Sequence, residues 1–139
     1  MIAALDSSVI IAALDALQPF HRESFDLLDQ SGLHARAHAL AESFSTLTGG
    51  HLSARMGADD VTRALRQSIL PSVTIVDLAP EEYLSAMGEA RARGIRGGAI
   101  YDYLHLVAAR KIGAQRLYTL NVSDFRSFYR PGDPEIVHP

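Results

Sequence analysis

The stretch GGAIYDYLHLVAARKIGAQRLYTLNVSDF, residues 97–125, decides the fold. It opens on Gly97 and Gly98, carries Ile100, Leu104, Val107 and Ala108 at the spacing of one helical face, and closes at Gly113, a sequence pattern for a helix over 99–112. Arg116 to Leu120 then reads as a strand ending at Asn121. Acidic residues bracket the unit, with Asp102 one turn into the helix and Asp124 just past the strand.

The same alternation extends upstream. Ile2 to Leu5 is a short apolar run that stops at Asp6, and Ser7 and Ser8 lead into the apolar stretch Val9 to Leu14, which reads as strand, acid, helix. His21 to Gln30 forms a second helix stopped by Gly32, and Leu33 to Ala37 a second strand. A third helix follows, with Leu40, Phe44 and Leu47 as its apolar stripe and Glu42 off that stripe, near the helix start. Asp59 or Asp60 caps a helix running through Leu65 to Ile69, which Pro71 breaks. Val73 to Leu78 is β-branched enough to be a central parallel strand, Pro80 to Arg93 is a helix, and Glu135 to Val137 a last edge strand. Strands alternating with helices imply an α/β/α sandwich: a central, mostly parallel sheet flanked by helices and joined by right-handed crossovers.

Composition sets the bounds. A chain of 139 residues, 47% of them hydrophobic, supports one good core, so residues 1–139 read as a single domain. It has no cysteine, which excludes disulfide frameworks, thiolate metal sites and cysteine nucleophiles and suits a reducing, cytoplasmic setting. The N-terminus lacks the basic region of a signal peptide, and no apolar run approaches the ~20 residues of a membrane span. A net charge of −3 confines any nucleic-acid contact to local positive patches. Lys111 is the only lysine among 13 Lys and Arg residues, and arginine's planar fork suits phosphate. Arg91, Arg93 and Arg96 beside the glycines are candidates for a phosphate-contacting rim, or simply complement a helix dipole.

In open parallel sheets the functional crevice lies beyond the carboxyl ends of the strands. Asp6, Glu42, Asp102 and the pair Asn121 and Asp124 all stand where a strand stops or a helix begins. Several carboxylates brought together resist joint ionisation unless a cation neutralises them. Oxygen donors with open positions favour Mg2+ or Mn2+ over zinc. A metal held this way activates water and polarises a phosphoryl group, so phosphodiester hydrolysis is the chemistry that follows. Asp6 alone also reads as an ordinary helix cap, and Asp102 as an ordinary first-turn acid.

The resemblance is more specific than the spacing. LDSSVIIAAL resembles the opening of a PIN domain, HALAESFSTLT its second motif with Glu42 at the acidic position, and the stretch 97–125 its third, with Asp102 in the helix and Thr119, Asn121, Asp124 and Phe125 after it. Nearly the whole chain is covered, and single-domain chains of this size resemble the VapC toxins of VapBC toxin–antitoxin systems. The resemblance implies a Mg2+- or Mn2+-dependent endoribonuclease acting on RNA, dimeric, held inactive by a VapB-type antitoxin. It implies Asp6 and Asp102 as main metal ligands, Glu42 as a ligand or water-orienting base, and Asp124 as a direct or water-mediated contributor. Ser8 would support Asp6, with Thr119 and Asn121 in the surrounding shell. Asn121 stands where many members have Asp, so the fourth acid is shared between Asn121 and Asp124.

Other classes fit less well. A phosphoacceptor receiver needs adjacent acids at its first strand and a lysine at a late strand end, and Lys111 lies inside a helix. A haloacid-dehalogenase-like phosphatase needs Asp-x-Asp, and Asp6 is followed by Ser7 and Ser8. A PIN-fold binding or scaffold module without nuclease activity is the remaining alternative, hinted at only by Asn121.

Overall fold

Ala3, Ala4 and Leu5 form strand β1, and its pleat sends Ala3 and Leu5 into one apolar cluster and Ala4 into a second, as the two-residue period of a strand dictates. A strand buried on both faces belongs inside a sheet. The computed structural model, which describes residues 1–49 and 56–139, bears this out. The other strands are β2 (Leu33–Arg36), β3 (Val73–Val76), β4 (Arg116–Tyr118) and β5 (Glu135–Val137). They form one sheet of order β3-β2-β1-β4-β5, with every neighbouring pair parallel. β3 therefore sits at an edge, not in the centre as its apolar composition suggested. Its Thr74 is exposed, and Ile75 and Val76 are only half-buried, packed against opposite faces of the sheet.

Helices α1 (Ser7–Leu14), α2 (His21–Leu27), α3 (His38–Gly49), α4 (Ala58–Ala64), α5 (Pro80–Arg93), α6 (Ala99–Lys111) and α7 (Val122–Phe128) make up the outer layers. Val9, Ile10 and Ala13 of α1, with Leu27, Leu28 and Ile69, cover one face of the sheet. Ala86, Tyr103, Leu104, Leu106, Phe125 and Phe128 of α5, α6 and α7 cover the other. This is the expected three-layer α/β/α sandwich.

Two local readings change. α4 is preceded by Gly57 at its cap position, with Asp59 and Asp60 inside its first turn. The helix then widens into a π-helical turn over Leu65–Ile69, closed by Leu70 N–H donating to the Leu65 carbonyl at 3.0 Å. α3 buries Ala39, Ser43 and Leu47 instead of the stripe Leu40, Phe44 and Leu47, and leaves Phe44 exposed. Small residues one turn apart let α3 approach its neighbours closely, and the Ser43 hydroxyl satisfies itself on the Ala39 carbonyl at 2.7 Å.

The register positions the site. Leu5 pairs with Ala35 on one side and Tyr118 on the other, so the next residues, Asp6, Arg36 and Thr119, share one level at the carboxyl edge. Strand order also reverses across β1, since β2 and β3 lie to one side and β4 and β5 to the other. Such a switch point opens a crevice between the diverging connections.

Candidate active site

Asp6 occupies that crevice. It is fully buried, and both of its oxygens are engaged: Ser8 Oγ donates to Oδ1 at 2.5 Å and Thr119 Oγ1 to Oδ2 at 2.6 Å. Val9 N–H donates to Oδ1 at 3.4 Å, so Asp6 also caps α1. Two further bonds tie these hydroxyls to the chain, from Leu120 N–H to Ser8 Oγ at 3.0 Å and from Asn121 N–H to Thr119 Oγ1 at 2.9 Å. Burial pushes the Asp6 carboxyl above the usual range, against the opposing pull of the His105 charge and of these hydrogen bonds.

Thr119 is fully buried and is both donor and acceptor here. Thr119→Val keeps its shape but strands the Asp6 oxygen and the Asn121 N–H. The expected cost is about 1–3 kcal/mol of unfolding free energy, read from urea denaturation.

Asp102, in the first turn of α6, stands close to Asp6. Its carboxyl is pushed up to about 6, chiefly by burial and then by the charge of Asp6, with Asp124 and Glu42 adding to the rise and His105 opposing it. Asp102 and Asp124, the latter in the first turn of α7, line one cleft with Gly98, Ala99, Ser127 and Phe128. Asn121 precedes α7, is exposed, and is not among the residues lining that cleft.

Glu42, in the second turn of α3, is held from below. His105 Nε2 lies 2.8 Å from Oε1 and Arg36 Nη2 3.7 Å from the same oxygen, while Ser7 Oγ donates to Oε2 at 3.4 Å. Partial burial works to raise this carboxyl, but the His105 hydrogen bond and the charges of His105, His38 and Arg36 together hold it below the usual range. Arg36 and His105 were absent from the candidate residues, although both are buried against the acids. Their signals exist in the sequence. Arg36 is a charge at the end of a short parallel strand, which must find a partner, and His105 lies three residues from Asp102, on the same side of α6.

Other candidates divide. Arg93 turns inward to Asp133, Glu89 and the Phe128 carbonyl, which removes it from any phosphate rim; Arg91 and Arg96 are exposed. Tyr103, Phe125 and Phe128 are buried core residues, whereas Tyr101 is exposed.

Residues 3–130 match the family model of the PIN domain. The chain belongs to the PIN-domain family. No curated protein matches its sequence. Several solved structures resemble it in fold. VapC20 of Mycobacterium tuberculosis, described as a sarcin–ricin loop cleaving toxin, aligns with a TM-score of 0.73 at 16% identity over 95% of this chain and 99% of its own. VapBC2 of Rickettsia felis, bound to a DNA fragment from its promoter, aligns with a TM-score of 0.69 at 18% identity over 100% and 99%. FitAcB of Neisseria gonorrhoeae aligns with a TM-score of 0.64 at 20% identity over 99% and 98%. At these identities the likeness concerns the PIN fold alone.

The donor set of this PIN domain suits a hard divalent cation. It offers only oxygens, and Asp102 carries the electrostatic mark of acids crowded with too little positive charge between them. Among the described residues no three acids or histidines already enclose one point. Mg2+ keeps several of its own waters and does not need a closed cage. No described helix is long and apolar enough to cross a membrane.

Proposed function

We propose that this PIN domain is a metal-dependent endoribonuclease and the toxin of a type II toxin–antitoxin pair. One observation carries the reading: Asp6, Glu42, Asp102 and Asp124 come from four separate segments to one edge of the sheet, near enough that three of them act electrostatically on Asp102. Family membership supplies the reaction class that such a cluster serves.

Asp6 and Asp102 would hold Mg2+ or Mn2+, Asp124 would contribute directly or through water, and Glu42 would ligate or orient the attacking water. A cation bound there lowers the pKa of its water, polarises the phosphoryl group and stabilises the departing oxygen. The protein's own part is positional. Ser8 and the Val9 N–H hold Oδ1 of Asp6 and Thr119 holds Oδ2, which keeps lone-pair capacity to spare. Glu42 has one oxygen gripped by His105 and Arg36 and the other free but for Ser7. In this reading Asp124 is the fourth acid and Asn121 a member of the surrounding shell. The neutral Asn121 therefore costs the cluster nothing, and the scaffold alternative loses its one support.

The partners follow from the same reading: RNA as substrate, a VapB-type antitoxin as inhibitor, a second copy in a homodimer, and the cytoplasm as the place where all meet. Purified chain freed of any partner is expected to cut RNA with added Mg2+ or Mn2+ and to stop when a chelator is added. Equal activity in the wild type and a folded Asp6→Asn, Asp102→Asn double variant sinks the nuclease reading. For the toxin reading, a short reading frame for a DNA-binding antitoxin is expected beside this one; induction of the chain alone should arrest growth, and co-expression of that antitoxin should relieve the arrest.

A further inference from the structure

Two exposed rings stand beside the acids. Tyr101 immediately precedes Asp102 on α6, and His38 lies four residues before Glu42, one turn away on α3. The helices that carry the acids thus also carry these rings to a common place. Their centroids are 6.0 Å apart and their planes 17° from parallel. Tyr101 is 54% exposed, whereas Tyr103 two residues on is fully buried. The backbone beneath Tyr101 is fixed from the core, because buried Arg36 donates from Nη2 to its carbonyl at 3.3 Å.

The surroundings are those of a binding surface more than of a packing contact. A cleft of 450 Å³ opens next to the pair, lined by His38, Ala41, Glu42, Ser45 and Thr46, within the size range of small-molecule sites. Neither the Tyr101 hydroxyl nor a His38 ring nitrogen hydrogen-bonds to any described residue. The cleft on the other side of the acids, at Asp102 and Asp124, has Phe128 as its sole aromatic lining residue, and Phe128 is buried. Among the described residues, the site is therefore asymmetric, with an exposed aromatic pair on the Glu42 side.

We propose that the His38–Tyr101 pair is a stacking platform for an unpaired base of the RNA next to the cleaved phosphate. The inference rests on the ribonuclease reading and deepens it. Bases in a duplex already spend both faces on their neighbours, while an unpaired base has a face to give, and aromatic side chains are the usual acceptors of such a face. The exposed ring and the hydroxyl-bearing cleft beside it both match that one occupant.

The experiment uses the full chain silenced by Asp102→Asn, with Mg2+ present, and two fluorescein-labelled probes: an unstructured 12-nucleotide RNA and a duplex of the same sequence. Binding is read by anisotropy. Tyr101→Ala in this background is expected to weaken the unstructured RNA by roughly 5- to 150-fold, while Tyr101→Phe and Tyr101→Trp keep most of the affinity and duplex binding does not change. Replacing nucleotides one by one with abasic residues should reveal one position at which Tyr101→Ala costs nothing further. Equal binding by the parent and Tyr101→Ala overturns the platform and leaves the ribonuclease reading standing, as does an equal loss in Tyr101→Phe. Failure of the silenced parent to bind either RNA brings down both.

Discussion

Replacing Asp102 with Asn is expected to do two opposite things at pH 7.5: reduce RNA cleavage by about 10³-fold and raise the melting temperature of the metal-free protein. The first follows if Asp102 holds the cation. Charge stabilisation by a bound metal is worth several kcal/mol in the transition state, and a loss of about 4 kcal/mol is about three decades of rate.

The second follows from the environment of the carboxyl. Folded, it ionises at about 6 because burial and the charges of Asp6, Asp124 and Glu42 oppose its anion; the ordinary value is 3.8. Between about pH 4 and pH 6 the unfolded chain has therefore released this proton while the folded chain still holds it. Stability falls across that window and stays lower above it. The full shift corresponds to about 3 kcal/mol, but the group is about half in water, which leaves roughly 1–2 kcal/mol after screening. Asn keeps the shape without the charge, so the melting temperature should rise by several degrees. Mg2+ should stabilise the wild type at pH 7.5 far more than at pH 5, and the variant much less at either pH. A metal-free variant that melts lower than the wild type at pH 7.5 contradicts this account of the site.

Much of this arrangement is written in short-range pattern. Glycines 94, 97, 98 and 113 and the apolar runs between them bracket α6 and β4 without reference to anything distant, and Asp6, Ser8 and Thr119 lie at strand ends that hydrophobicity alone locates. The position of β3 is different in kind. Whether Val73–Val76 has one neighbour or two depends on the order of strands, which its own residues do not encode. The buried face of α3 was misread for a related reason: hydrophobic size points to Phe44, yet close packing against α1 and β2 selects Ala39 and Ser43 for being small. Arg36 and His105 act across 6 and 63 residues of sequence on Glu42, and only the fold brings three elements to one carboxylate. Asp124 became distinguishable from Asn121 once α7 showed which of the two faces the cleft it shares with Asp102.

His105→Leu is expected to lower the turnover number for RNA cleavage by roughly 10- to 100-fold and to weaken Mn2+ binding to a similar degree, with His105→Gln recovering most of both. A carboxylate only accepts, so the nitrogen 2.8 Å from Glu42 Oε1 must carry the proton and donate. The other ring nitrogen, Nδ1, is buried with no hydrogen-bond partner among the described residues, so leucine strands only Glu42. Oε1 is then left with Arg36 at 3.7 Å, too long for a hydrogen bond to fix its direction, and the free Oε2 loses its aim. Glutamine can still donate an N–H toward Oε1 but brings no charge. It should therefore restore turnover and metal affinity more fully than it restores the acid limb of the pH–rate profile. That limb should move to higher pH in the leucine variant, because the hydrogen bond that helps hold the Glu42 carboxyl down is gone. Mn2+ affinity, read by electron paramagnetic resonance titration, separates aim from packing. If leucine and glutamine lose activity equally while Mn2+ binds both as tightly as the wild type, His105 merely fills space beside Asp102 and the orientation of Glu42 must come from its other contacts, Ser7 and Arg36.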